Sequence, residues 1–172
     1  MFFSRLLGLT IDCVEQLKEE ETFMTCKTVP LQNKKVGLEI VVHGETLVLT
    51  PEQIMATYLK KLQLFYENAG IQAKDIVISV PAYFSTIERQ AMLDACQIAE
   101  LNPIRLINEC TASALAYGFF RKPELDEKIS RNVVFVDLGH SKCTVSVVDF
   151  TSKKMKILAH TSDRNFGGRK MD

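Results

Sequence analysis

The residues best placed to do chemistry sit at the end of one apolar run. Val133-Val134-Phe135-Val136 leads into Asp137-Leu138-Gly139 and then His140-Ser141-Lys142. A strand that stops sharply on glycine turns its next backbone N–H groups outward, where they can cradle phosphate oxygens. A carboxylate at the mouth of such a turn, here Asp137, can hold a magnesium ion directly or through water. The same pattern also serves an ordinary hairpin with a solvent-facing aspartate. Glu109 is the second candidate. It follows the apolar run Ile104-Arg105-Leu106-Ile107-Asn108 and precedes an alanine-rich segment. The carboxyl end of a buried strand is where ligands bind in open α/β sheets, and a carboxylate there can orient an attacking water. It can equally be a helix-start acid favoured by the helix dipole. Gly167 and Gly168 form the third candidate, because paired glycines let a backbone approach a ligand closely. They also make ordinary turns.

The elements that must position these residues alternate in type. Strands are expected over 22–29 and 36–43, flanking the polar turn Gln32-Asn33-Lys34-Lys35, and His43-Gly44-Glu45 turns the chain into 46–49. Thr50, Pro51 and Gln53 give a capping box with proline at the first helical position. The helix they start carries Ile54, Met55, Tyr58, Leu59, Leu62, Phe65 and Tyr66 at helical spacing, a stripe that reads as core, and Gly70 ends it. A continuous apolar strand over 75–80 stops at Pro81. Ser85 and Glu88 form a second capping box for a helix to about Glu100. A strand over 103–108 and a short helix over 111–117, closed by Gly118, follow. The charged stretch around Pro123 is linker-like. After it come strands over 132–138, 143–150 and 154–161, joined by tight turns. The order β-α-β-α and then a hairpin meander is mixed α/β.

Composition narrows the function classes. The 172 residues are 47% hydrophobic and 24% charged, with 21 basic and 21 acidic side chains. That is globular composition. A balanced charge gives no support for nucleic acid or an anionic membrane as partner. No apolar run approaches the length of a membrane span. The opening Met1 to Leu9 is apolar, but Arg5 lies inside the run and Asp12 closes it early, which is the wrong order for a signal peptide. The five cysteines are dispersed with no CxxC pair, a pattern of reduced thiols and of a cytoplasmic protein rather than a disulfide framework or metal site.

Taken in order, the motifs resemble the heat-shock protein 70 superfamily. They are Val80-Pro81-Ala82-Tyr83-Phe84, Glu88-Arg89-Gln90, Ala99-Glu100-Leu101-Asn102-Pro103, and Ile107-Asn108-Glu109-Cys110-Thr111-Ala112-Ser113-Ala114-Leu115-Ala116-Tyr117-Gly118, then Asp137-Leu138-Gly139 and Phe166-Gly167-Gly168. Where active ATPases of the family have a glycine-rich run ending in threonine, this chain has His140-Ser141-Lys142, and 134–141 is similar to the heat-shock protein 110 branch.

The resemblance implies an actin-like ATPase (ribonuclease H-like) fold, present in part: the later portion of lobe I over 1–120, a linker over 121–131, and the start of lobe II over 132–172. It implies ATP or ADP with Mg²⁺ as cofactors of the complete domain. Asp137 would lie on the metal side. Gly139, His140, Ser141 and Lys142 would face the phosphates, Gly167 and Gly168 would line the nucleotide site, and Glu109 would lie near the attacking water. Pro81 and Arg89 match positions that relay nucleotide state between domains. The branch also implies partners, a heat-shock protein 70 chaperone and unfolded client proteins, and a cytoplasmic or nuclear location. Three departures bear on activity: Ser4 stands where the family's catalytic lysine would be, Cys110 replaces a proline, and His140 replaces a glycine. They leave three readings: an exchange-factor chaperone, a divergent ATPase chaperone, and a non-catalytic interaction fragment. ATP hydrolysis is expected to be weak or absent.

Overall fold

The computed structural model describes residues 3–171, so Met1, Phe2 and Asp172 lie outside the described residues, including the first two positions of the apolar opening run. The elements in chain order are α1 (Val14–Glu21), β1 (Lys27–Pro30), β2 (Val36–Val42), β3 (Glu45–Leu49), α2 (Pro51–Asn68), β4 (Asp75–Val80), α3 (Thr86–Ile98), β5 (Asn102–Asn108), α4 (Glu109–Arg121), β6 (Arg131–Leu138), β7 (Cys143–Phe150) and β8 (Met155–Asp163). The mixed α/β class is the one expected. Contacts gather these elements into two compact units. One holds the chain up to Val77 with Phe84–Arg105; the other holds Ile78–Tyr83 with the chain from Leu106 onward. Strands β4 and β5 pair with each other as a two-stranded sheet, and each contributes residues to both units.

The first unit is built on the antiparallel meander β1-β2-β3. Val42 faces Glu45 across a two-residue turn, His43-Gly44. Both turn residues have positive φ, 52° and 86°, the geometry that matches the twist of a tight hairpin. Its core joins Leu6, Leu17, Val36, Leu38 and Ile54. The apolar opening run is therefore core material: Leu6 and Leu7 are fully buried. Helix α1 carries Leu17 into this core, an element the sequence pattern does not announce. Its Cys13 N-cap makes no side-chain cap bond, and its residues are mostly charged. The strand expected over 22–29 is correspondingly shorter, starting only at Lys27.

Both capping boxes form. In α2 the Gln53 N–H donates to Thr50 Oγ1 at 3.3 Å and the Thr50 N–H donates to Gln53 Oε1 at 2.9 Å. In α3 the Ser85 N–H donates to Glu88 Oε2 at 2.7 Å and the Glu88 N–H donates to Ser85 Oγ at 3.3 Å. Each box satisfies two of the orphan donors at a helix start. Ser85→Ala is expected to lower stability by about 1 kcal/mol. A urea titration followed by circular dichroism checks this, and an unshifted midpoint would remove the box's energetic role. The stripe on α2 is core only in part: Ile54, Met55 and Leu59 are buried, whereas Tyr58, Leu62 and Phe65 are exposed. Ile54 packs into the cluster on β2, and the stripe continues past the residues that cluster covers.

The second unit lays α4 across one face of the antiparallel meander β6-β7-β8. Strand β7 alternates strictly, with Thr144, Ser146, Val148 and Phe150 buried. Ala114, Val148 and Phe150 form the core of this unit, with Tyr117, Phe135, Met155 and Ile157 packed against it. A β-bulge between Val147 and Val148 shifts the register with β8. Helix α4 runs through Gly118 to Arg121, four residues beyond the expected end at Tyr117. No helix of the described residues is long and apolar enough to cross a membrane.

Candidate functional site

The chemistry-bearing residues of the second unit converge on two facing turns. Strand β6 ends at Leu138, which pairs with Cys143, so Gly139 to Lys142 form the loop into β7. The Gly139 N–H donates to the Lys142 carbonyl at 2.9 Å and closes this loop. Beyond β8 the chain returns over it. The Gly168 N–H donates to the Gly139 carbonyl at 3.0 Å, and the Arg169 N–H donates to the His140 carbonyl at 2.8 Å. Two of the amides in these turns therefore bind turn to turn and a third closes its own loop instead of facing a ligand, which revises the simple picture of outward-pointing N–H groups.

Gly167 makes this approach possible. A Cβ at this position would come within 2.6 Å of the Lys142 amide nitrogen and the Ser141 carbonyl carbon, and within 2.7 Å of the His140 oxygen. Its φ of −168° is ordinary extended backbone, so space alone selects glycine here. Gly167→Ala is expected to destabilise the unit by about 1–3 kcal/mol, the usual range for overpacking. Hydrogen exchange at Gly168 and Arg169 reads the loss of docking directly, and unchanged protection there would contradict the tight contact.

Glu109 opens α4, and its Oε2 forms an ion pair and hydrogen bond with Lys142 Nζ. Both side chains are largely withdrawn from solvent, at 31% and 16% exposure. Burial pulls the Lys142 ammonium down to about 8, and the adjacent carboxylate opposes that fall by favouring the charged form. The same ammonium lies 5.9 Å from the centre of the Tyr83 ring, and the Arg164 guanidinium lies 4.9 Å from it. Two cations thus flank one aromatic ring, an arrangement attractive through the ring quadrupole. Tyr83 and Arg164 carry no spacing signal as site residues. They reach Lys142 only because β4, the 139–142 loop and the chain after β8 meet in one unit.

Asp137 is exposed and pairs across the ladder with Thr144, two residues before the loop. Of the remaining candidates, Pro81 is half-buried directly after β4 in this same unit. Arg89 belongs to the other unit, where its Nε donates to the Phe84 carbonyl at 3.0 Å. The structure therefore brings together Glu109, Gly139, His140, Ser141, Lys142, Gly167 and Gly168, with Asp137 next to them in the chain, while Arg89 belongs to the other unit.

The Lys142 ammonium and the loop packed against Gly167 suit a phosphate group, while the adjacent Glu109 carboxylate opposes an anion. No group of three His, Cys, Asp or Glu side chains among the described residues could hold a metal ion. Magnesium keeps several waters and binds through one or two carboxylates plus phosphate oxygens. It fits here only in the company of a nucleotide, with Asp137 two residues before the loop and Glu109 already paired to Lys142.

Comparison with known proteins agrees with the motifs. The chain is 47% identical over 149 residues to "97 kDa heat shock protein" of Mesocentrotus franciscanus, covering 85% of this chain and 17% of that protein. It is 42% identical over 151 residues to "Heat shock protein 110" of Caenorhabditis elegans, covering 85% and 19%. It is 42% identical over 159 residues to "Heat shock 70 kDa protein 4" of Rattus norvegicus, covering 91% and 19%. The chain thus spans about a fifth of the length of these relatives. The family described as Hsp70 protein matches residues 2–172. With that match over almost every residue, and with the mixed α/β architecture and the two docked glycine turns it encompasses, the chain belongs to the Hsp70 protein family and carries part of its ATPase domain.

Proposed function

We propose that this chain is part of the nucleotide-binding region of a heat-shock protein 110-type chaperone, which assists protein folding by accelerating nucleotide exchange on a heat-shock protein 70 partner and by holding unfolded clients. One observation carries the reading: the 167–169 turn docks on the 139–142 loop while Glu109 reaches Lys142 of that loop. In this reading ATP or ADP places its phosphates against Gly139, His140, Ser141, Lys142, Gly167 and Gly168. Mg²⁺ rides with the phosphates on the Asp137 side and supplies charge neutralisation when bound. Glu109 lies by the attacking water. Pro81 and Arg89 pass nucleotide state onward. The similarity to a protein named heat shock protein 110 supports the branch. The five free cysteines support a reducing location, the cytoplasm or nucleus.

Phosphoryl transfer relies on positioning and electrostatic stabilisation from several sides of the nucleotide. The residues of this chain supply one phosphate loop and two carboxylates, and one of those carboxylates is already engaged by Lys142. Titration calorimetry with Mg-ATP is therefore expected to show binding weaker than micromolar, with no measurable phosphate release; micromolar affinity or turnover would overturn this expectation. The exchange role is tested by mixing the chain with a heat-shock protein 70 chaperone loaded with fluorescent ADP. Faster ADP release supports the exchange-factor reading. An unchanged rate leaves a non-catalytic interaction module, the alternative favoured by the Glu109–Lys142 pairing.

A further inference from the structure

The Glu109–Lys142 pair is built from the two groups that the nucleotide reading needs separately. A carboxylate that orients water must keep an oxygen free to accept its proton. Here Glu109 Oε2 accepts from the Lys142 ammonium, which leaves Oε1 as the oxygen open to water and spreads the carboxylate's charge toward the lysine. A lysine that meets a phosphate must present its ammonium to the incoming anion. Here that ammonium faces Glu109, with the Tyr83 ring beside it and Arg164 against the same ring. The pair is held in place from several sides. Glu109 is fixed at the start of α4, and the Lys142 backbone is clamped by its bond to Gly139 and by Gly167 pressed against its amide.

We propose that Lys142 is an internal latch: its ammonium is held by the Glu109 carboxylate, and a triphosphate bound at the loop competes with Glu109 for that ammonium. The inference rests on the nucleotide reading above for the identity of the anion, but the latch itself is a property of this chain. Its consequence is competition. Phosphate and Glu109 share one cation, so affinity for the anion is reduced by whatever the pair contributes. The exchange returns Glu109 Oε2 to water and restores the full charge of the carboxylate.

The test uses the whole chain, as wild type and as Glu109→Gln, which keeps shape and hydrogen-bonding capacity while removing the charge. Lysine acylation at pH 8 is read by peptide mass spectrometry, with the exposed Lys156 as internal standard, and Mg-ATP binding is measured by calorimetry in parallel. Without nucleotide, Lys142 is expected to acylate about fivefold faster in Glu109→Gln, the size of effect a partly exposed ion pair supports. Mg-ATP is expected to bind Glu109→Gln about fivefold more tightly, because the competing carboxylate is gone, and to slow acylation of Lys142 in both proteins. Equal Lys142 acylation in the two proteins, relative to Lys156, overturns the latch. Equal calorimetric affinity in the two proteins overturns the exchange while leaving nucleotide binding intact. An absence of heat in both overturns nucleotide binding itself and the exchange with it, whatever the acylation shows.

Discussion

Replacing Phe150 by alanine should cost the second unit about 3–5 kcal/mol, the range for emptying a buried phenylalanine site. Phe150 is 1% exposed at the end of β7. Its ring lies 5.1 Å from that of Tyr117 on α4 and 6.2 Å from that of Phe135 on β6. It therefore links the helix to two strands, and a gap left there opens at the junction of all three. The neighbour that sharpens the prediction is Gly118. A Cβ there would sit 3.2 Å from Phe150 Cε1. In an exposed helix, Gly→Ala gains up to about 1 kcal/mol from propensity. In this helix the methyl would press on the ring and cancel that gain. Gly118→Ala should thus be neutral or destabilising in the wild type and stabilising in Phe150→Ala, a coupling of the kind expected between touching residues. Hydrogen exchange of the β6, β7 and β8 amides in increasing urea follows this unit by itself. A loss below about 1 kcal/mol for Phe150→Ala, or additive effects of the two changes, would show that the ring is not the linchpin of this core.

Glu20→Ala should be as damaging in the first unit, at about 3–5 kcal/mol, because it removes one member of a buried ion pair. Glu20 on α1 accepts from Arg5 Nε at 2.6 Å, and the two side chains are 3% and 6% exposed. Removing the carboxylate takes a charged partner from a buried guanidinium, and the desolvation it offset is what the variant exposes. The double change Arg5→Met with Glu20→Leu should recover most of the loss, since apolar groups of similar volume often replace a buried pair at little cost. Urea unfolding of the wild type, the single variant and the double variant separates the explanations. If the double change is as unstable as Glu20→Ala, the pair's own hydrogen bonds matter more than the guanidinium's desolvation.

The two cases show different limits of what residue order can reveal. Both capping boxes, the whole β6-β7-β8 meander and the end of β4 at Pro81 follow from rules that act within a few residues, and each forms where those rules place it. Gly118 breaks a local rule that tertiary packing overrides: glycine usually ends a helix, but here the helix runs on and the glycine makes room for Phe150 arriving from a strand about thirty residues later. Helix α1 had no local signal, as its cap makes no side-chain bond. What fixes it is Leu17 in the core and Glu20 on Arg5, fifteen positions away.

The candidate site divides along the same line. Asp137, Glu109 and the glycines were legible because turn chemistry and strand ends are written in short spacings, and the order of those motifs carried the family. That Lys142 would close on Glu109, thirty-three residues earlier, and share the Tyr83 ring with Arg164 was decided only when the chain folded. Residue order fixes backbone conformation over a turn or two, because φ, ψ and capping bonds are local. Which charges meet is set by how strands and helices stack, and in a desolvated space that choice decides whether a carboxylate is free to act or already held.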